Sequence, residues 1–359
     1  MSEFKVDFFY NFEEFYSHIP DCLENTALNT PFQYKSWQQK LYEEHRALKP
    51  KIPYLGAVLF QNGKPVVGGH FFIKRIGRHR GVFFLGTGGE TDYFDLIYFC
   101  DAVTNTHIQN LLACVSERSA MTHFVLTQVP AESPLVCWAE HSGYKAFFCN
   151  ECAWISFGSN YEDYLSGLTK SVRQNIRTAN NRLARDCLTG SLKIYDETSV
   201  SFSEINELLA LYENRRVKKD TLKGISEIKH WFNEVLRKIR KEKYNIMVET
   251  MKDMTGKFLA VYRINETASA YCYGLKSFDD NKICIMQVAI NDDYSRYSPG
   301  MLLLSGVFRE LLKNEEQGKL IFDLTNGNEK YKFSLGADAH YTNYYDFSLK
   351  APLPAESVQ

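Results

Sequence analysis

The chain has 359 residues, 45% of them hydrophobic and 24% charged, with a net charge of -1. That length exceeds the roughly 100–200 residues of one domain, so two domains are expected, each able to bury its own core. The composition excludes a disordered or fibrous chain, and the near-zero net charge excludes a global attraction to nucleic acid or membrane, although residues 165–243 carry 17 Lys and Arg against 10 Asp and Glu. No apolar run reaches the roughly 18 residues of a membrane helix, and Met1 to Tyr10 lacks a signal-peptide layout, so no membrane span and a cytoplasmic location are expected. The nine cysteines are odd in number and lie mostly among apolar neighbours, as reduced structural thiols do. Only Cys149 and Cys152 form a C-x-x-C pair, and with no second pair at zinc-site spacing no metal is expected.

Taken in chain order, the first lobe shows strands at Tyr54 to Gln61 and Lys64 to Ile73, joined by Asn62-Gly63, a dipeptide that readily supplies the positive φ of a tight hairpin. A strand at Gly81 to Leu85, a helix from Tyr93 to Ser119, a strand at His123 to Gln128 and an aromatic strand at Lys145 to Phe157 follow. Gly86, Asp92 and Tyr93 sit in or beside a glycine-containing turn and serve either substrate contact or the turn alone. Gly158-Ser159-Asn160 reads as a linker, which gives domains at 1–158 and 159–359. Beyond it, Tyr164, Leu165, Leu168, Val172 and Ile176 recur at helical spacing. Arg173 and Arg177, four apart on that helix, share a face that either binds an anion or is simply solvated.

Helices at Phe202 to Lys218 and Ser226 to Lys243 precede strands at Asn245 to Thr250, Lys257 to Ile264, Ala268 to Ser277 and Lys282 to Asn291. A helix from Pro299 to Lys313 opens on Ser298-Pro299-Gly300, where the missing N–H of proline costs nothing. Gly318 then stops it before a strand at Lys319 to Leu324, the loop Thr325 to Asn328, a short helix and a last aromatic strand at Thr342 to Leu349. The order predicts an α/β (α+β) fold, a meander of mostly antiparallel strands flanked by helices. No internal repeat is visible, so any duplication of the lobes lies in structure rather than in sequence.

The run Tyr294 to Leu304, then Phe322-Asp323-Leu324 and Gly327 to Lys332, resembles the CelD-like branch of the GNAT acyltransferase superfamily. The segments Thr30-Pro31-Phe32-Gln33 with Trp37, Phe84-Leu85-Gly86 with Thr91 to Asp95, and Leu168 to Arg177 are also similar to that family. The resemblance implies tandem GNAT-like lobes, a relationship to the FemABX peptidyltransferases, and an activated acyl donor such as acetyl-CoA or a longer acyl-CoA. The first lobe would be the degenerate, acceptor-side one and the second the donor-binding, catalytic one. The usual pyrophosphate loop has spaced glycines after Gln or Arg, whereas here Arg296 precedes only Gly300.

Under that resemblance Ser298, Gly300 and Met301 would offer backbone N–H groups at a helix N-terminus to a pyrophosphate, or would form only a cap. Val288, Ala289 and Ile290 would contact the pantetheine arm, one of their N–H groups stabilising an oxyanion. Asp323, at a strand end, would accept or orient the amine's proton, or cap its loop. Tyr331 would protonate the leaving thiolate, Lys332 would offset negative charge, and Glu329 is an alternative base. The resulting activity is N-acyl transfer to an amine on a small molecule, peptide or sugar. One alternative is an aminoacyl-tRNA-dependent transferase, for which Arg215-Arg216-Val217-Lys218-Lys219 supplies charge but no RNA-binding motif; another is a silent ligand-binding protein.

Overall fold

A computed structural model describes residues 4–19, 26–76, 79–89, 91–158, 160–195, 200–222, 235–236, 238–239, 245–279, 281–313 and 320–349. The chain divides into two units. Unit 1 is Met1–Glu151 with Tyr341–Gln359, and unit 2 is Cys152–His340. The boundary therefore falls inside a strand rather than at the expected linker after residue 158, and the last strand belongs with the first unit.

In unit 1 the order is β1 (Phe4–Phe9), α1 (Phe12–Ser17), α2 (Lys35–Leu48), β2 (Tyr54–Gln61), β3 (Lys64–Ile76), β4 (His79–Phe84), β5 (Ile97–Tyr98), α3 (Asn105–Ser119), β6 (His123–Pro130), α4 (Pro134–His141) and the start of β7 (Phe147–Ser156). Strands β1 to β4 form an antiparallel meander, β6 then joins β4 in parallel through Val82↔Phe124, and Thr342 to Ser348 of β13 (Asp338–Ser348) pairs antiparallel with β6. Helix α3 starts at Asn105, not at Tyr93 as expected. Thr104 and His107 form a reciprocal capping box there, while Phe94 to Phe99 run extended and supply β5.

Unit 2 repeats that plan. It takes the rest of β7, then α5 (Tyr161–Gly167), α6 (Lys170–Arg185), β8 (Gly190–Tyr195), α7 (Phe202–Leu222), α8 (Ile246–Asp253), β9 (Lys257–Ile264), β10 (Thr267–Lys276), β11 (Lys282–Ile290), α9 (Pro299–Leu311), β12 (Ile321–Asn326) and α10 (Lys330–Ser334). Strands β8 to β11 form the antiparallel meander, α9 crosses over, β12 joins β11 in parallel, and β7 pairs antiparallel with β12. A right-handed crossover is the rule for such parallel neighbours. The duplication that no sequence repeat betrays is thus present in strand order.

One face of the unit 2 sheet packs Val172, Ile176 and Leu183 of α6 and Leu303, Val307 and Phe308 of α9 over Phe258, Cys272 and Phe322. The other packs Ile205 and Leu208 of α7 and Met247 and Met251 of α8 over Val261, Tyr271 and Ala289. The expected strand Asn245 to Thr250 is helix α8: the Asn245 side chain caps it by accepting from the Val248 N–H, and Met247 and Met251, one turn apart, bury together. Most of the expected helix Ser226 to Lys243, the Gly318 stop, and the side chains of Arg215 to Lys219 lie outside the described residues. Among the described residues no helix is long and apolar enough to cross a membrane.

Candidate active site

The site is built on a fork in the unit 2 sheet. Strands β11 and β12 pair only through Lys282↔Ile321, Ile283↔Phe322 and Cys284↔Asp323, after which they part. Two features hold the fork open. Opposite β10 the register shifts between Tyr273 and Gly274, which leaves Met286 as the extra residue of a β-bulge that bends β11. Gly274 is required there, because a Cβ would stand 1.9 Å from the Cys284 carbonyl oxygen. On the β12 side Thr325 takes a left-handed φ of 48°, accepts no ladder position, and donates its hydroxyl to the Ile285 carbonyl at 2.7 Å while its N–H donates to Asp323 at 2.8 Å.

Beyond the fork, Val288 and Ile290 point to one side of β11 and, with the first turns of α9 and the side chains Tyr331 and Leu335, enclose a cavity of about 270 Å³. Ser295, Ser298, Pro299, Gly300, Met301 and Leu304 complete its wall. Residues far apart in sequence, from Val288 to Tyr331, therefore meet as expected at one place. Ala289 does not: strand alternation turns its side chain into the opposite core, leaving only its backbone on the cavity side.

The helix start is more engaged than the sequence implied. Ser298 adopts a left-handed φ of 51°, its N–H donates to Ser295, and the N–H groups of Met301 and Leu302 both donate to the Ser298 carbonyl, at 3.0 and 3.2 Å. The Gly300 N–H keeps no such backbone partner, and a Cβ at Gly300 would meet Ile290 at 3.1 Å. Arg296 does not line the cavity. It pairs with Asp186 at 2.9 Å, and hydrogen bonds from Arg185 and Tyr297, with the charge of Arg296, hold the Asp186 carboxyl below its usual range.

Asp323 is fully buried and faces away from the cavity wall. Lys282 lies 3.5 Å from it and His340 3.7 Å, with His340 stacked on Trp154 at 4.1 Å between ring centres. Burial pushes its pKa up, but His340, Lys282 and the Thr325 N–H outweigh that and hold it below the usual carboxylate value. The structure thus makes Asp323 the anchor of the fork rather than a group within reach of substrate. Lys332 is corrected likewise. Its ammonium is buried and donates to the carbonyls of Leu324, Asn326 and Gly327 at 2.9, 2.8 and 3.1 Å, strapping the loop between β12 and α10. Glu329, 46% exposed, pairs with it at 3.2 Å.

Of the other expected contacts, Arg173 donates to the Ser166 and Leu168 carbonyls and so closes the end of α5, and Arg177 is exposed on α6. Gly86, Asp92 and Tyr93 belong to unit 1, where they build a turn. Gly86 has a φ of 86° with Leu41 against it, the Asp92 carbonyl accepts from Gln128, and buried Tyr93 packs edge-on against Phe32, which does the same to Trp37. None of the three lines a cavity described here. Sequence reasoning missed Ser295, Leu304 and Leu335 on the wall; Leu335, four residues after Tyr331, was legible as the same helical face.

Residues 170–333 match the Acetyltransferase (GNAT) domain family. The match begins where α6 begins and ends within α10, so it takes in the bulge, the fork and the cavity of the GNAT domain. No curated protein matches the chain. Among solved structures, the chain is similar in fold to a conserved protein of unknown function from Bacteroides thetaiotaomicron (TM-score 0.55, 12% identity, 96% of this chain and 100% of that one). It is similar also to FemX (TM-score 0.53, 10% identity, 96% and 97%) and to L-PGS from Bacillus licheniformis (TM-score 0.50, 13% identity, 93% and 89%). At these identities the likeness is one of fold.

Proposed function

We propose that the GNAT domain is an N-acyltransferase whose donor, acetyl-CoA or a longer acyl-CoA, lies in the 270 Å³ cavity with its thioester at the parted strands. The observation that carries this reading is the fork itself: two parallel strands that separate after three pairs beside a helix N-terminus, with Val288, Ile290, Gly300 and Tyr331 on one wall. An amine of a small molecule, peptide or sugar attacks the thioester carbon directly. The C–N bond forms, the oxyanion is met by a backbone N–H of Val288 to Ile290, and collapse breaks the C–S bond. Tyr331 protonates the departing thiolate. With Asp323 closed off, Glu329 is the carboxylate of that corner that solvent reaches, and it takes the amine's proton. The motifs around Tyr294 to Leu304 and Phe322 to Lys332 support placing the chain in the CelD-like branch.

Titration calorimetry of the full chain with CoA and acetyl-CoA tests the donor site. Gly300→Asp sets a carboxylate against Ile290 on the cavity wall and is expected to weaken CoA binding at least about tenfold, because bulk and negative charge both oppose an anionic donor. Unchanged affinity in a folded Gly300→Asp variant removes this assignment.

A further inference from the structure

Unit 1 carries a second cavity, of about 570 Å³, where the loop after α2 meets the β3–β4 hairpin. Four cations border it: Lys51 from the loop, Lys74 and Arg75 from β3, and Arg80 from β4. The rest of its lining is Ile52, Pro53 and Ile73, and no carboxylate is among the lining residues. The chain as a whole has a net charge of -1, so this concentration of positive charge is local and not a by-product of a basic protein.

The register sharpens the point. Arg75 and Arg80 are directly opposed across the hairpin, and like charges in that relation destabilise a strand pair. A fold tolerates such an arrangement where something else uses it. Guanidinium groups match phosphate with two parallel hydrogen bonds, and two of them flanked by two ammonium groups suit an anion with more than one phosphate. The cations surround a hollow with an apolar floor rather than forming a stripe along a flat face, which favours a compact ligand over a nucleic-acid backbone.

We infer that unit 1 binds a small soluble molecule bearing two or more phosphate groups in this cavity. The inference stands on unit 1 alone and is independent of the donor-site reading. Calorimetry of the full chain with inorganic pyrophosphate tests it, with Arg75→Ala and Arg80→Ala as the site variants and Lys64→Ala, an exposed change elsewhere on β3, as the control. The expected result is saturable one-to-one binding, weakened at least about tenfold by either arginine variant and unchanged by Lys64→Ala. Arg80→Ala is also expected to leave the unliganded protein at least as heat-stable as the parent, since it relieves the opposed pair. Absence of saturable pyrophosphate binding overturns the inference. So does an equal loss in all three variants, which marks non-specific charge attraction. Tighter binding of a single-stranded oligonucleotide or of anionic vesicles through the same two arginines overturns it too, because the ligand would then be a macromolecular surface.

Discussion

Tyr331 and Lys332 are neighbours on α10, yet one side chain faces the cavity and the other is buried beneath the preceding loop. The two should therefore fail in different ways when changed. Tyr331→Phe keeps the ring and loses only the hydroxyl, so kcat is expected to fall about 10²- to 10⁴-fold with CoA affinity and stability intact, as for a group that supplies a proton in the chemical step. A kcat within about twofold of the parent, with chemistry limiting, withdraws that role. Lys332→Ala instead orphans the carbonyls it satisfies. Denaturant unfolding should show a loss of about 2–4 kcal/mol, and an unchanged midpoint with weakened CoA binding would return Lys332 to the donor. From sequence the pair read alike, as two polar groups on a short helix. Which of them turns inward depends on where β12 ends, and no local pattern records that.

At the scale of elements, the fork depends on Gly274. The obstacle to a Cβ there is a backbone oxygen, which cannot swing aside as a side chain can, so Gly274→Ala is expected to cost more than about 3 kcal/mol or to prevent folding, read by soluble yield and by the urea midpoint. A variant as stable as the parent would mean that the bulge is not needed. Strands such as β2 and β9 were legible to the residue because apolar runs bounded by turn residues are local signals. The order meander, helix, parallel strand was legible for the same reason. The bulge was not, since Gly274 in a strand pattern looks like any weak position until its partner Cys284 is known. The Lys282, Asp323 and His340 cluster was equally hidden, each member lying on a different strand.

Two buried groups of unit 1 set how the whole molecule responds to pH. Burial lifts the Asp95 pKa to about 7, against the partial opposition of hydrogen bonds from Ser133, Tyr98 and Leu96, and burial lowers that of His70 to about 3. Between pH 4 and 7 the unfolded chain has released the Asp95 proton that the folded state retains, so this contribution falls as pH rises and is gone above about 7. For His70 the sign is opposite: below 6.5 the unfolded chain takes up a proton that the folded state refuses, and stability is lost towards pH 3. In Asp95→Asn only the His70 limb remains. Urea midpoints of that variant should rise steadily from pH 4.5 to 6.5 and, relative to the parent, gain further by pH 7.5. An unchanged profile would show that Asp95 is ionised when folded. Finally, the assignment of Thr342 to Ser348 to unit 1, opposite Phe124 and its neighbours on β6, bears on the protein's birth at the ribosome. Roughly 200 residues separate β6 from its partner, which at ordinary translation speed leaves that edge of β6 without β13 for roughly 10–40 s. All of unit 2 emerges in that interval, so the half of the chain made first is the half completed last, and its uncovered strand edge is the place where a nascent-chain chaperone would be needed.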